Sequence, residues 1–508
     1  MAKIQQFADF NFELGLNTDI SEIQVSKKEL STADNVDVMG RGGVRKRFGF
    51  TNVNDASYFD TANTTNIEVL QLIEFPRDNG DIILLALTTT ATPGENQLCE
   101  VGSNGVLTGL QTIYSDRIAH FFLQDKFYFI DPGTEYYFYD GSTVQTVTPN
   151  SDEENNLTPI KNCKFAHYHS ESNRIFFAGN SNDNRALYYS EFNDPTFVKG
   201  TSVVYPTRAE GRVKGINVLM DAIIVSYSHG NWIWRGIDPA KDAIWEKLPT
   251  SHGAINGEAF ALTTSSLSMV SDDGIFALTP NIMGISMENE AGQGYIMNMT
   301  KDRVNKIIQG ITNKENVRSV FYSKESKLFV AYSDQESGVN NKILVFDFEN
   351  KSFSLYTDIQ INDFCLLQTG DLYAATNNYI LKLTDDSTED IKPDGTSSII
   401  DFKMKTPKYG LDNPFIKKKL IKMFLIYKNF GSNHELKVSL YADETKVQEN
   451  IVKGDDSGTE IITKRIKTYH SGNNFQVEIE NTQYSEVEIY GIGFYYTVAD
   501  TGGDKANA

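Results

Sequence analysis

Seven times between about Val69 and Asp386 the sequence opens a short apolar strand and turns. It then continues with an aromatic or β-branched strand that stops near Asp, Gly, Asn or Pro. The openings fall at Val69 (VLQLIEF), Arg117 (RIAHFFL), Cys163 (CKFAHYH), Val213 (VKGINVLMD), Glu258 (EAFALTT), Val317 (VRSVFYS) and Ile361 (INDFCLL), spaced by 48, 46, 50, 45, 59 and 44 residues. Units of about 40–50 residues with several short strands match the period of propeller blades. The second strands, such as DIILLALT, KFYFID, RIFFAG and KLFVAYS, alternate or run apolar over the length of a half-buried or buried strand. The pattern predicts an all-β chain with a β-propeller of about seven blades. Six or eight blades stay open, because the 59-residue interval contains an insertion.

That insertion includes the clearest helical pattern, MTKDRVNKIIQGI (299–311), with Val304, Ile307, Ile308 and Ile311 on one face, Thr300 placed to cap the start and Gly310 near the end. A second β unit follows. FIKKKLIKMFLIYK, ELKVSLYA, EIITKRIKTY, FQVEIEN and EVEIYGIGFYYTV are separated by turn formers at 429–433 and 454–458. Clean alternation at Leu436, Val438, Leu440 and at Val477, Ile479 predicts a C-terminal β-sandwich with one face packed and the other wet. The Asp-, Ser-, Thr- and Pro-rich stretch 384–398 reads as the linker. The expected organisation is an N-terminal arm and assembly segment (1–58), the propeller (59–390), the sandwich (391–500) and a flexible tail (501–508).

Charge separates the same regions. The 508 residues carry 47 Lys+Arg against 67 Asp+Glu, a formal charge of −20, which argues against one large basic surface. From residue 401 onward there are 15 of each, so the whole excess lies in residues 1–400. No stretch approaches the ~20 consecutive apolar residues that span a bilayer, and the N-terminus lacks a basic-then-apolar leader, so the chain is expected to fold in cytosol without a membrane partner. Cys99, Cys163 and Cys365, odd in number and far apart, suit buried reduced thiols.

Catalytic constellations are missing or weak. There is no Walker-type loop, Cys-x-x-Cys, His-Glu-x-x-His or Gly-x-Ser-x-Gly. His167 and His169 share a strand face at metal-compatible spacing, but no third ligand is visible, so both read as structural. Ser271-Asp272-Asp273-Gly274 fails the spacing of a sialidase Asp-box and reads as a tight turn. Arg41, Arg45, Lys46 and Arg47 could touch phosphates, although the region around them is acidic. Lys417, Lys418 and Lys419, and Lys464, Arg465 and Lys467, alternate with apolar residues as solvated sheet faces do. No catalytic, cofactor-binding or metal-binding residue and no cofactor is expected.

Three stretches have a recognisable order: Leu14-Gly-Leu-Asn-Thr, Ala33-Asp-Asn-Val and Gly43-Val-Arg-Lys-Arg-Phe-Gly-Phe. With Gly230-Asn-Trp-Ile-Trp-Arg-Gly, Gly253-Ala-Ile-Asn-Gly, the hairpin 271–278 and the Gly491-Ile-Gly-Phe-Tyr-Tyr ending, the chain resembles the tail nozzle proteins of short-tailed bacteriophages, also called tail tubular, stabilisation or head-to-tail closure proteins. The resemblance implies a non-enzymatic virion protein assembled in the host cytoplasm as a hexameric ring. Such a ring sits beneath the portal and adaptor proteins, contacts tail fibres or spikes, and encloses a channel through which DNA passes at ejection without specific binding. Acidic walls would suit such a channel, because each Lys or Arg contact with phosphate adds salt-dependent attachment. The alternative is a phage tail or surface adhesin that holds a receptor glycan with Trp232, Trp234 and Trp245 as stacking platforms. A propeller glycosidase is the third reading.

Overall fold

The computed structural model describes residues 3–498 apart from 54–66, 104, 150–151, 207, 242–244, 249, 265, 280–295, 337, 393–395 and 455–459. The expected flexible tail and most of the 454–458 turn lie outside the described residues.

Seven antiparallel four-stranded units follow one another around a ring. Blade 1 begins with Val69–Pro76, blade 2 with Ala119–Leu123, blade 3 with Phe165–His169 and blade 4 with Val213–Leu219; blade 5 begins with Phe260–Leu262, blade 6 with Arg318–Tyr322 and blade 7 with Asp363–Leu366. Each start lies within two residues of the opening read from the sequence. First strands abut between blades 2 and 3, 3 and 4, 5 and 6, and 6 and 7, and the first strand of blade 7 meets that of blade 1 to close the ring. There the Asn362 side chain donates to Val69 O at 3.1 Å and the Leu72 amide donates to Asp363 at 3.0 Å.

Apolar and aromatic residues on facing blades fill the gaps. Phe121, Tyr128 and Tyr136 of blade 2 pack with Ile175 and Phe177 of blade 3, and Phe176 and Tyr189 of blade 3 pack with Trp232 and Trp234 of blade 4. The fourth strand of blade 7 is Phe50–Asn52, which pairs antiparallel with Ile380–Leu383 and is supplied by the N-terminal arm.

Six of the seven units are separate sheets. The sheet of blade 6 continues into the C-terminal sandwich through Thr32–Asp34, which meets Ser352–Thr357 in parallel at Leu355 and Phe402–Lys405 antiparallel. Phe475–Asn481, Glu435–Ala442 and Thr445–Lys453 complete this inner sheet. The outer sheet has Lys418–Lys428 between Ile461–Lys467 and Glu488–Val498. The free edge of Glu488–Val498 takes up Ile4–Asp9 and Val44–Lys46, so the N-terminus pairs with the last described strand. Met423, Leu425, Ile492 and Phe494 of the outer sheet pack on Met404, Val438, Leu440, Val477 and Ile479 of the inner sheet. The alternation of apolar residues places these side chains in the core and their neighbours outside.

Two local expectations change. The helix is the five residues Asn305–Gln309, with Val304 at its N-cap and Gly310 at its C-cap. Its first amides are capped from the arm, Asn305 and Lys306 donating to the Asp19 carboxylate at 2.7 and 2.9 Å. Thr300 Oγ1 instead accepts from the Ile275 amide at 3.1 Å, which removes it as a helix cap. Within the stretch read as a linker, Glu389–Ile391 and Ser397–Ile399 form a hairpin. It is ordered because Asp390 is buried against Arg47.

Candidate functional site at the propeller axis

Charged side chains meet where the first strands of the blades converge. Arg117 stands two residues before the first strand of blade 2 and reaches across the axis. Its Nη1 donates to Leu70 O of blade 1 at 2.9 Å, its Nη2 lies 3.1 Å from Asp363 Oδ1 of blade 7, and its Nε lies 3.5 Å from Glu258 Oε1 at the start of blade 5. Arg318, which opens blade 6, places its Nε 3.8 Å from the same Asp363 oxygen and donates from Nη1 to Glu315 O and Val317 O at 2.9 and 2.8 Å. Two guanidinium groups and two carboxylates thus link five blades.

Their environments differ. The Asp363 side chain is 7% exposed and its other oxygen accepts the Leu72 amide, whereas the Glu258 side chain is 43% exposed. Enclosure works to raise the pKa of Glu258, but Arg117 and Arg318 outweigh it and hold the carboxyl below its usual range. Burial, aided by Arg117, lowers Arg318 to about 10. His120 and His167, on the first strands of blades 2 and 3, are both held neutral mainly by burial, His167 at about 4. The cluster is a balanced ionic tie that crosses the axis. It leaves Glu258 as its water-exposed carboxylate and Asp363 fully engaged.

His169 is buried away from this cluster. Its Nε2 lies 3.0 Å from Asp221 O, which can only accept, so Nε2 carries the proton and Nδ1 accepts from Ser172, whose Oγ is 2.8 Å away. Both ring nitrogens are therefore used structurally. Among the described residues, no group of three or more His, Cys, Asp or Glu side chains is placed to hold a metal ion. The three cysteines are buried free thiols, and burial raises Cys99 to about 11. Asp272 and Asp273 occupy the turn closed by the Ser271–Gly274 pair and bond to Lys314 and His252.

Trp232 and Trp234 are buried in the gap between blades 3 and 4, and half-buried Trp245 stacks on Trp234 with centroids 6.1 Å apart. These rings fill space between blades, so the stacking platforms expected of the adhesin alternative are absent at these positions. The basic N-terminal cluster is also used internally. Arg47 is fully buried in a bidentate pair with Asp390, with contacts of 3.0 and 2.5 Å. Lys46 donates to Asn481 Oδ1 and Gln483 O, both at 2.7 Å, and burial lowers its pKa to about 8. Arg45 faces Asp37 and Glu325. Of the four, Arg41 remains exposed.

Sequence reading missed the axial cluster because its members lie far apart in the chain and form no motif. One signal was available. Arg117 and Glu258 both stand two residues before a blade's first strand, and Arg318 and Asp363 both open one, so aligning the seven units would have brought the charges into register.

No protein-family model matches the chain, and no curated protein matches it. Solved structures are similar at low levels. The computationally designed Ika8 protein aligns at TM-score 0.38 and 10% identity over 73% of this chain and 98% of its own. An exo-β-1,3-galactanase from Phanerochaete chrysosporium aligns at 0.25 and 11% over 74% and 95%. The extracellular domain of a one-component system from B. thetaiotaomicron aligns at 0.41 and 9% over 87% of this chain and 60% of its own.

Proposed function

We propose that the chain is a structural subunit of a phage virion, the tail nozzle or head-to-tail connector, and that it acts as a hexameric ring without catalysis. Besides the sequence resemblance, the observation that carries this reading is the course of the N-terminal arm. Within its first 52 residues it pairs with the last described strand, joins blade 6 to the sandwich and closes blade 7. Such interlacing makes propeller and sandwich one stiff block, which suits a ring part that holds its shape while DNA passes.

The axial ion pairs add a constraint. Arg117, Glu258 and Asp363 bridge the propeller axis, and a duplex whose major groove alone is about 12 Å wide does not fit through such a crossing. The DNA channel of this reading therefore lies between subunits, with portal and adaptor proteins at one end of the ring and fibres or spikes attached to it. The fully engaged Asp363 also speaks for a structural axis, since a glycosidase needs two carboxyl groups free to face its sugar.

Native mass measurement and particle imaging, alone and with a portal–adaptor complex, are expected to show six copies around an open channel. Failure to form a ring under either condition, or hydrolysis of glycans by the purified chain, would overturn the reading.

A further inference from the structure

The solvent face of the outer sandwich sheet differs from the rest of this acidic protein. Register places Tyr495, Lys422 and Lys467 side by side on three neighbouring strands, with Phe424 and Arg465 in the next outward row and Lys419 beyond Lys422. The buried partners Met423, Leu425, Phe494 and Ile466 point the other way, so these six residues share the outer face.

Tyr495 is 36% exposed and packs edge-on against Phe424 with centroids 4.7 Å apart. Lys419, Arg465 and Lys467 are exposed and Lys422 is half-buried. None of the four cations has an ion-pair partner among the described residues, so all four are open to an anionic ligand. The next outward cation along the strand, Lys428, is paired with Glu488 at 2.6 Å, which marks the end of the unpaired patch.

We infer that this face binds a nucleic-acid strand, with Lys419, Lys422, Arg465 and Lys467 on successive phosphates and the Tyr495 ring as a platform for a base. Cations about 5 Å apart across strands and about 7 Å apart along one, beside an open aromatic ring, supply both parts of sequence-tolerant single-strand binding. An acidic protein surface is the competing partner. Three of the four cations are lysines, which protein interfaces avoid, and the open ring would be idle there. Net charge confines the interaction, because the −20 of residues 1–400 repels the polymer elsewhere. The inference does not depend on ring assembly.

The test is fluorescence anisotropy of a labelled oligothymidylate with the full chain, between about 50 and about 200 mM salt. Expected is binding whose log K falls with log salt at a slope of about −3, four contacts at about 0.7 each. The triple variant Lys422→Glu, Arg465→Glu, Lys467→Glu should abolish binding while keeping the thermal unfolding of the parent. Tyr495→Ala should weaken binding about tenfold without changing the slope. No binding at low salt, an unaffected triple variant, or a Tyr495→Ala variant equal to the parent with polyglutamate competing as well as DNA would overturn the inference; the last would mark a protein-binding face. A protein that forms rings but does not bind leaves the nozzle reading intact, whereas binding by a chain that never assembles removes that reading and not this one.

Discussion

His167 and His169 stand two residues apart on one strand and meet different surroundings. His169 is fixed by Ser172 and Asp221 O, whereas His167 belongs to the axial region with His120. Burial, reinforced by the fields of His120 and His169, lowers His167 to about 4, against an ordinary value near 6.5. Between these values the unfolded chain takes up a proton that the folded chain refuses. The stability present above about pH 6.5 is therefore lost as pH falls toward 4, and the loss from this one group approaches about 3 kcal/mol. Urea midpoints measured from pH 7 to pH 4 should fall more steeply for the parent than for His167→Gln. Parallel curves would show that the ring titrates normally. Alternation along a strand puts residues two apart on one face, but what each ring touches depends on distant loops that spacing does not report.

At the scale of elements, the blades follow from local patterning, while the joints follow from close backbone approach. Gly15 illustrates a joint. It pairs in parallel with Phe353 of blade 6 at a φ of +65°, and a Cβ there would lie 2.2 Å from the Phe353 carbonyl oxygen. Gly15→Ala thus meets both a left-handed backbone and a backbone clash that no rotamer relieves, and should cost about 2–5 kcal/mol. The expected readout is a lower urea midpoint at unchanged slope. A midpoint equal to the parent's would mean that the arm does not need this contact. The helix makes the converse point. Its apolar spacing was visible, yet its extent is set by Asp19, whose carboxylate caps Asn305 and Lys306 from nearly three hundred residues away in sequence.

For the whole molecule, the arm couples propeller and sandwich. Arg47 lies at that junction, fully buried, paired with Asp390, donating from Nε to Asn35 Oδ1 at 2.8 Å and stacked 4.7 Å from the Tyr356 ring centroid. Removing one partner of a buried pair leaves the other charge uncompensated, so Arg47→Met should lose about 3–5 kcal/mol. Calorimetry should show a single transition for the parent and a single, lowered transition for the variant, because the arm belongs to both modules. Two separated transitions in the parent would show that the modules unfold independently.

The recurrence of apolar strands near every 48 residues, and the switch to a charge-balanced alternating pattern after 401, were enough to specify a propeller followed by a sandwich. Period and alternation are local properties, and burial of one or both strand faces imposes them directly on the residues. Which residues meet across the ring was settled in three dimensions. Arg117, Glu258, Arg318 and Asp363 come together because ring closure brings four blade starts to one axis. The basic arm turned inward because Asp390 and Asn481 wait there for Arg47 and Lys46. A charge in sequence carries no record of its partner. Long-range pairing is what decides whether it becomes an internal tie or, as on the outer sheet of the sandwich, stays open to the solvent.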